Sequence, residues 1–107
     1  MQVPESLRYA TSHEWVSVTD GIATIGVTDH AQAELTDVVY LELPTPGKQV
    51  KAGDAVAVIE SVKAANDIYT PVSGEVVEFN PNLETDPSAV NQAPYTDGWM
   101  FRIRLSD

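Results

Sequence analysis

The feature that most constrains this chain is how often it is interrupted. Apolar and β-branched residues alternate with polar or small ones in short runs at 14–18, 22–27, 38–43, 55–62, 66–69, 74–79 and 100–105, the two-residue period of a half-buried strand. Turn formers stand between them at close intervals: Thr19-Asp20-Gly21, Pro44-Thr45-Pro46-Gly47, Ala52-Gly53-Asp54, Pro71-Val72-Ser73-Gly74 and Asp97-Gly98. Such spacing is that of a sandwich or barrel. Two stretches depart from it and predict short helices: 30–35 behind a Thr28 or Asp29 cap, and 87–91 behind Asp86 with Pro87 at the first helical position. Neither is long enough to form a layer, so both should plug the ends of a mainly β core. A Gly turn before a valine strand occurs at Gly47-Lys48-Gln49-Val50 and again at Ser73-Gly74-Glu75-Val76, a faint sign of internal twofold symmetry.

At 107 residues, with no linker-like stretch dividing it, residues 1–107 read as a single domain. An apolar content of 43% fills one modest core without disulfide or metal support. Absence of cysteine excludes a disulfide framework, a thiolate metal site and a cysteine nucleophile. A formal charge of -10 repels phosphate backbones and anionic lipid, so nucleic acid and membrane surfaces are poor partners and basic proteins better ones. No signal-like segment opens the chain between Met1 and Tyr9, and no window has the length of a membrane span. A soluble compartment is expected, the bacterial cytoplasm before a mature organellar form, though nothing in composition separates these two.

Chemistry concentrates around Lys63. Apolar strand-like runs flank it on both sides, so Val62 to Ala64 reads as the tip of a tight hairpin holding one ammonium group away from the body. A lone lysine in a turn ordinarily serves solubility; its context points further. The segment Glu60-Ser61-Val62-Lys63-Ala64 resembles the lipoyl attachment motif in the form found in glycine cleavage H proteins. The residue before the lysine is usually Asp in 2-oxo acid dehydrogenase lipoyl domains, and biotin carriers usually set the lysine between methionines; Val62 and Ala64 match neither. The resemblance continues through Tyr9-Ala10-Thr11-Ser12-His13-Glu14-Trp15-Val16, Gly21 to Gln32, Asp37 to Pro44, Leu83, Val90-Asn91, Pro94-Tyr95 and Gly98-Trp99-Met100, and covers nearly the whole chain.

That resemblance implies a lipoyl/biotinyl-type β sandwich, a barrel-sandwich hybrid with the lipoyl lysine at a hairpin tip. It implies a non-catalytic carrier with lipoate on Lys63, set there by a lipoate-attaching enzyme that reads Glu60, Ser61, Val62 and Ala64. The carrier would serve glycine decarboxylase, aminomethyltransferase and dihydrolipoamide dehydrogenase. Lysine plus lipoate reaches ~15 Å along a zigzag chain, and a cysteine-free protein imports its dithiolane from the cofactor. In the family the loaded arm folds back against polar groups, and Ser12, Glu14 and Asp67 match those positions; a carboxylate there holds the arm's ammonium by a charge-assisted hydrogen bond. The competing reading makes Glu14 and Asp67 ordinary surface acids.

Other groupings read as structural. Ser12, His13 and Glu14 contain the elements of a hydrolase triad, but strand neighbours point to opposite faces, so no catalysis is assigned. His13, His30 and Asp29 lack metal-ligand spacing, and no metal is assigned. Trp15, Tyr95, Trp99 and Phe101 are expected to pack in the core. The chain stops at Leu105-Ser106-Asp107, before the C-terminal helical segment of most H proteins, which would expose apolar surface or loosen the cleft. Thr36 stands where the family usually has Gly after the first helix, which puts that turn's geometry in question. The alternatives are a lipoyl relay, a lipoyl domain of another complex, or an unmodified interaction module.

Overall fold

A computed structural model describes residues 7–10 and 12–106. Along the chain run β1 (Arg8–Tyr9), β2 (Glu14–Thr19), β3 (Ile22–Val27), α1 (Asp29–Leu35), β4 (Val38–Glu42), β5 (Gln49–Val50), β6 (Ala55–Ser61), β7 (Ala65–Tyr69), β8 (Gly74–Phe79), α2 (Asn82–Thr85), α3 (Ala89–Gln92) and β9 (Phe101–Leu105). The N-terminal reading at 1–6 lies outside the described residues.

Local chemistry sets the first register. Asp20 and Gly21 both take positive φ, 53° and 77°, the two-residue turn whose twist suits a hairpin. Counting outward from it pairs Thr19 with Ile22 and, at the far end, Glu14 with Val27. β9 then docks on β3, β8 on β9 and β5 on β8, giving a six-stranded antiparallel sheet in the order β1-β2-β3-β9-β8-β5. The second sheet has three strands, β4-β6-β7, with β6 central. Alternate residues of both sheets meet in one core that includes Ile25, Ile59, Val76, Phe101 and Ile103. The expected mainly β sandwich therefore forms, and the two Gly-turn segments suspected of symmetry turn out to pair with each other: Gln49 faces Glu75 and Val50 faces Gly74.

The helices correct the expectation of two. α1 is capped by Thr28, whose hydroxyl accepts from the Ala31 amide at 3.1 Å. The single helix expected at 87–91 starts instead as tight turns, with Ala89, Val90 and Asn91 donating to carbonyls three residues back. Only Ala89–Gln92 is α-helical, and Ser88 gives no side-chain cap. A further short helix at Asn82–Thr85 was not foreseen; the Asn80 side chain accepts from the Asn82 amide at 3.1 Å, and Pro81 supplies a preset φ of -67°. β1 lies outside the strand runs expected, because two residues carry no readable period, while β5 is the valine strand expected after Gly47.

The aromatic expectation holds in part. Trp15 and Phe101 are buried, and Trp15 lies across Gly26, where an added Cβ would come within 2.7 Å of its ring nitrogen. Tyr95 and Trp99 are only half-buried. Trp99 lies beneath the Arg102 guanidinium, 4.0 Å from its ring centroid, the stacking by which an indole face attracts a cation.

Thr36 ends α1 at φ 65°, ψ -146°, a region close to one occupied almost only by glycine. The Thr-for-Gly departure is therefore a strained position. Thr36→Gly should raise stability by about 1 kcal/mol, the strain relieved less the extra chain entropy of glycine. Urea denaturation checks it, and an unchanged or lower midpoint would contradict the strain.

Candidate functional site

β6 ends at Ser61 and β7 begins at Ala65, so Val62, Lys63 and Ala64 form the tip as expected. The Ser61 amide donates to the Ala64 carbonyl at 2.9 Å. Its hydroxyl accepts from the Lys63 and Ala64 amides, each at 3.2 Å, and lies 3.1 Å from the Ala64 carbonyl, to which it donates. One short side chain thus satisfies a turn that would otherwise leave its amides to water. Val62 is 69% exposed and Lys63 is exposed. Glu60 faces away from the core, opposite Tyr40 on one side and Ala65 on the other.

Beneath the tip opens a cleft of about 310 Å³ between the turn preceding β2, the end of β3, α1 and β7. Val27, Ala31, Leu35 and Ile68 give it an apolar wall; Ser12, His13, His30, Glu34 and Asp67 supply polar atoms, and Lys63 stands at its border. Ser12 and Asp67 both reach this cleft. Asp67 also borders a groove on the outer side of the three-stranded sheet, in the cross-strand row with Val58 and Glu42.

Glu14 is not a surface acid: it is 2% exposed. Its carboxylate accepts from the Ser12 hydroxyl and, at 3.3 Å, from the Tyr69 amide. Burial pushes this carboxyl above the usual range, while the Ser12 and backbone hydrogen bonds and nearby His13 draw it back in part. A raised folded-state pKa gives a definite sign. As pH climbs past the unfolded value, the unfolded chain releases this proton first, so the stabilisation present in acid is lost until the folded carboxyl ionises too. Denaturation midpoints measured across that window should fall with rising pH in the wild type relative to Glu14→Gln. A difference that does not change with pH would rule out the burial effect.

His13 and His30, which lack metal-ligand spacing in the sequence, have rings 4.7 Å apart in the cleft wall, and His30 Nε2 meets Glu34 at 2.8 Å. The β2–β3 register brings them together, since the Thr28 amide donates to the His13 carbonyl at 3.0 Å. Extending the Asp20-Gly21 hairpin by one step would have revealed the proximity. Among the described residues no group of three or more metal-binding side chains is assembled.

Fold and tip define a class: small β-sandwich domains that present one lysine on a hairpin. The chain belongs to the glycine cleavage H-protein family, whose model matches residues 7–107. It is 61% identical over 106 residues to the glycine cleavage system H protein of Pectobacterium atrosepticum, covering 98% of this chain and 82% of that one. With the Alcanivorax borkumensis H protein it shares 57% over 106 residues, 99% of this chain and 83% of the relative. The crystal structure of a Mycobacterium marinum glycine cleavage system H protein superposes with a TM-score of 0.93 at 32% identity, over 97% of this chain and 87% of that one.

Proposed function

We propose that this chain is the lipoyl carrier of the glycine cleavage system, with lipoate in amide linkage on Lys63. It takes the aminomethyl group of glycine from glycine decarboxylase to aminomethyltransferase and passes electrons to dihydrolipoamide dehydrogenase. The carrying observation is the locked tip: an exposed lysine amine on a turn ordered by Ser61, above a cleft with one apolar and one polar side. When attached, lipoate supplies the dithiolane that accepts and returns the aminomethyl group and the electrons. The residues present suit it. Lys63 provides an accessible amine, Val27, Leu35 and Ile68 a surface for a hydrocarbon chain, and Ser12 and Asp67 a polar end for a cation, with the buried Glu14 carboxylate behind Ser12 and bonded to its hydroxyl.

Glu14 gains from such a guest. Burial costs this carboxylate solvation that its hydrogen bonds from Ser12 and the Tyr69 amide return only in part, and an ammonium held beside Ser12 offsets more of it while water is kept out. The protein itself performs no bond-making step; it holds, orients and shields. Its relatives named above are bacterial, which supports a cytoplasmic location, and no helix among the described residues is long and apolar enough to cross a membrane.

The test is incubation with lipoate, ATP and a lipoate-attaching enzyme, followed by intact mass and peptide mapping, then reconstitution of glycine decarboxylation with the three partner enzymes. One lipoyl increment on the Lys63 peptide and a decarboxylation rate that depends on the modified protein are expected. An unmodified Lys63 alongside a modified control acceptor would sink the reading.

A further inference from the structure

The lysine tip is fastened at a point outside its own hairpin. Val62, the residue before Lys63, donates its amide to the Asp37 carbonyl at 3.0 Å. Asp37 lies in the short connection between α1 and β4, and one side chain from a third element grips both of its neighbours. Asn91 of α3 accepts from the Val38 amide through Oδ1 at 2.9 Å and donates through Nδ2 to the Thr36 carbonyl at 2.6 Å. The same Nδ2 donates to Gln32 Oε1 at 3.1 Å. The direction of the amide follows from its partners: a backbone N–H only donates and a carbonyl only accepts, so oxygen faces Val38 and nitrogen faces Thr36. The connection carries strain that its partners must offset, because Thr36 has the φ of 65° that threonine disfavours.

We propose that Asn91 is a positioning residue for Lys63. By bridging Thr36 and Val38 it fixes the direction of the Asp37 carbonyl, that carbonyl anchors the Val62 amide, and the anchored amide orders the tip that offers Lys63 to the modifying enzyme. The inference rests on the reading of Lys63 as a lipoate acceptor. Asn91 acts through the 36–38 connection and takes no part in the chemistry. Without the clamp the tip samples more conformations, and the attaching enzyme must order it on binding. That cost falls on affinity, so KM rises while kcat holds.

Two readouts on the full chain test it: hydrogen exchange at the Val62 amide by NMR, and steady-state lipoate attachment with this protein as the varied substrate. In Asn91→Ala, Val62 exchange should quicken about tenfold, as expected for loss of hydrogen bonds to partly buried backbone groups, with core amides such as Ile103 unchanged. KM for attachment should rise with kcat unaltered. Adding Thr36→Gly, which adopts the 36 conformation without strain, should restore part of both losses. If Asn91→Ala fails to fold, Asn91→Asp is used: it keeps the acceptor for Val38, loses the donors to Thr36, and should show the same selective quickening at Val62. Unchanged Val62 protection and KM in a folded variant would overturn the proposal, as would a uniform loss of protection across both sheets. A wild-type protein that takes no lipoate would defeat the carrier reading alone, since Val62 exchange decides the clamp without it.

Discussion

Lys63→Arg is expected to abolish lipoate attachment outright and to reduce glycine cleavage in the reconstituted system to the level found without this protein. Arginine keeps the charge and most of the apolar stem, but its guanidinium stays protonated at all working pH values and offers no free amine to acylate. Because Lys63 is exposed, the exchange should shift stability by no more than about 0.5 kcal/mol, so loss of function would not be loss of fold. The modification should not migrate elsewhere. Lys48 and Lys51 are also exposed, but neither stands on the Ser61-locked tip; the turn after Lys51 is closed by Asp54, which accepts from the Lys51 amide at 2.8 Å. Mass mapping of wild type and variant checks this, and a lipoyl increment persisting in Lys63→Arg would remove Lys63 from its role.

The largest stability effect is expected at Gly74→Ala. A Cβ at this position would come within 2.0 Å of the Arg104 carbonyl oxygen and 2.8 Å of the Ile103 side chain. A flexible side chain could swing aside; a backbone carbonyl held in the β8–β9 ladder moves less easily, since Gly74 pairs with Leu105 and Glu75 with Arg104 at the end of that ladder. Gly74 also pairs with Val50, so the clash reaches the β5 edge. Such overpacking costs about 3 kcal/mol, which for a domain of this size lowers Tm by about 15 °C. Thermal unfolding followed by circular dichroism measures it. Gly53→Ala is the contrast: it has open space around a Cβ but a φ of 95°, so it should lose less, through backbone strain alone. Equal losses at the two sites would refute the steric account.

Much of this molecule was legible before any fold was in hand. Alternation marked seven strands to within a residue or so at most of their ends, and the Asp20-Gly21 turn set the register that places His13 beside Thr28. Lys63 stood out because two apolar runs converge on it. The hydroxyl that locks the tip belongs to Ser61, within the motif that carried the resemblance. Less legible were the short pieces. β1, β5 and α2 are each too brief to show a period, and β5 is held by β8, a partner distant in sequence.

The sequence by itself determined which segments become strands, where they turn and which lysine is lifted clear, because period, turn chemistry and β-branching act over a few neighbouring residues. Only the tertiary structure decided that Glu14 is buried against Tyr69 and that Asn91 reaches the loop behind the lysine tip. Burial and hydrogen-bond partnership across such separations depend on how the two sheets and α3 pack, and the identity of a single residue carries no trace of the surface that will close over it.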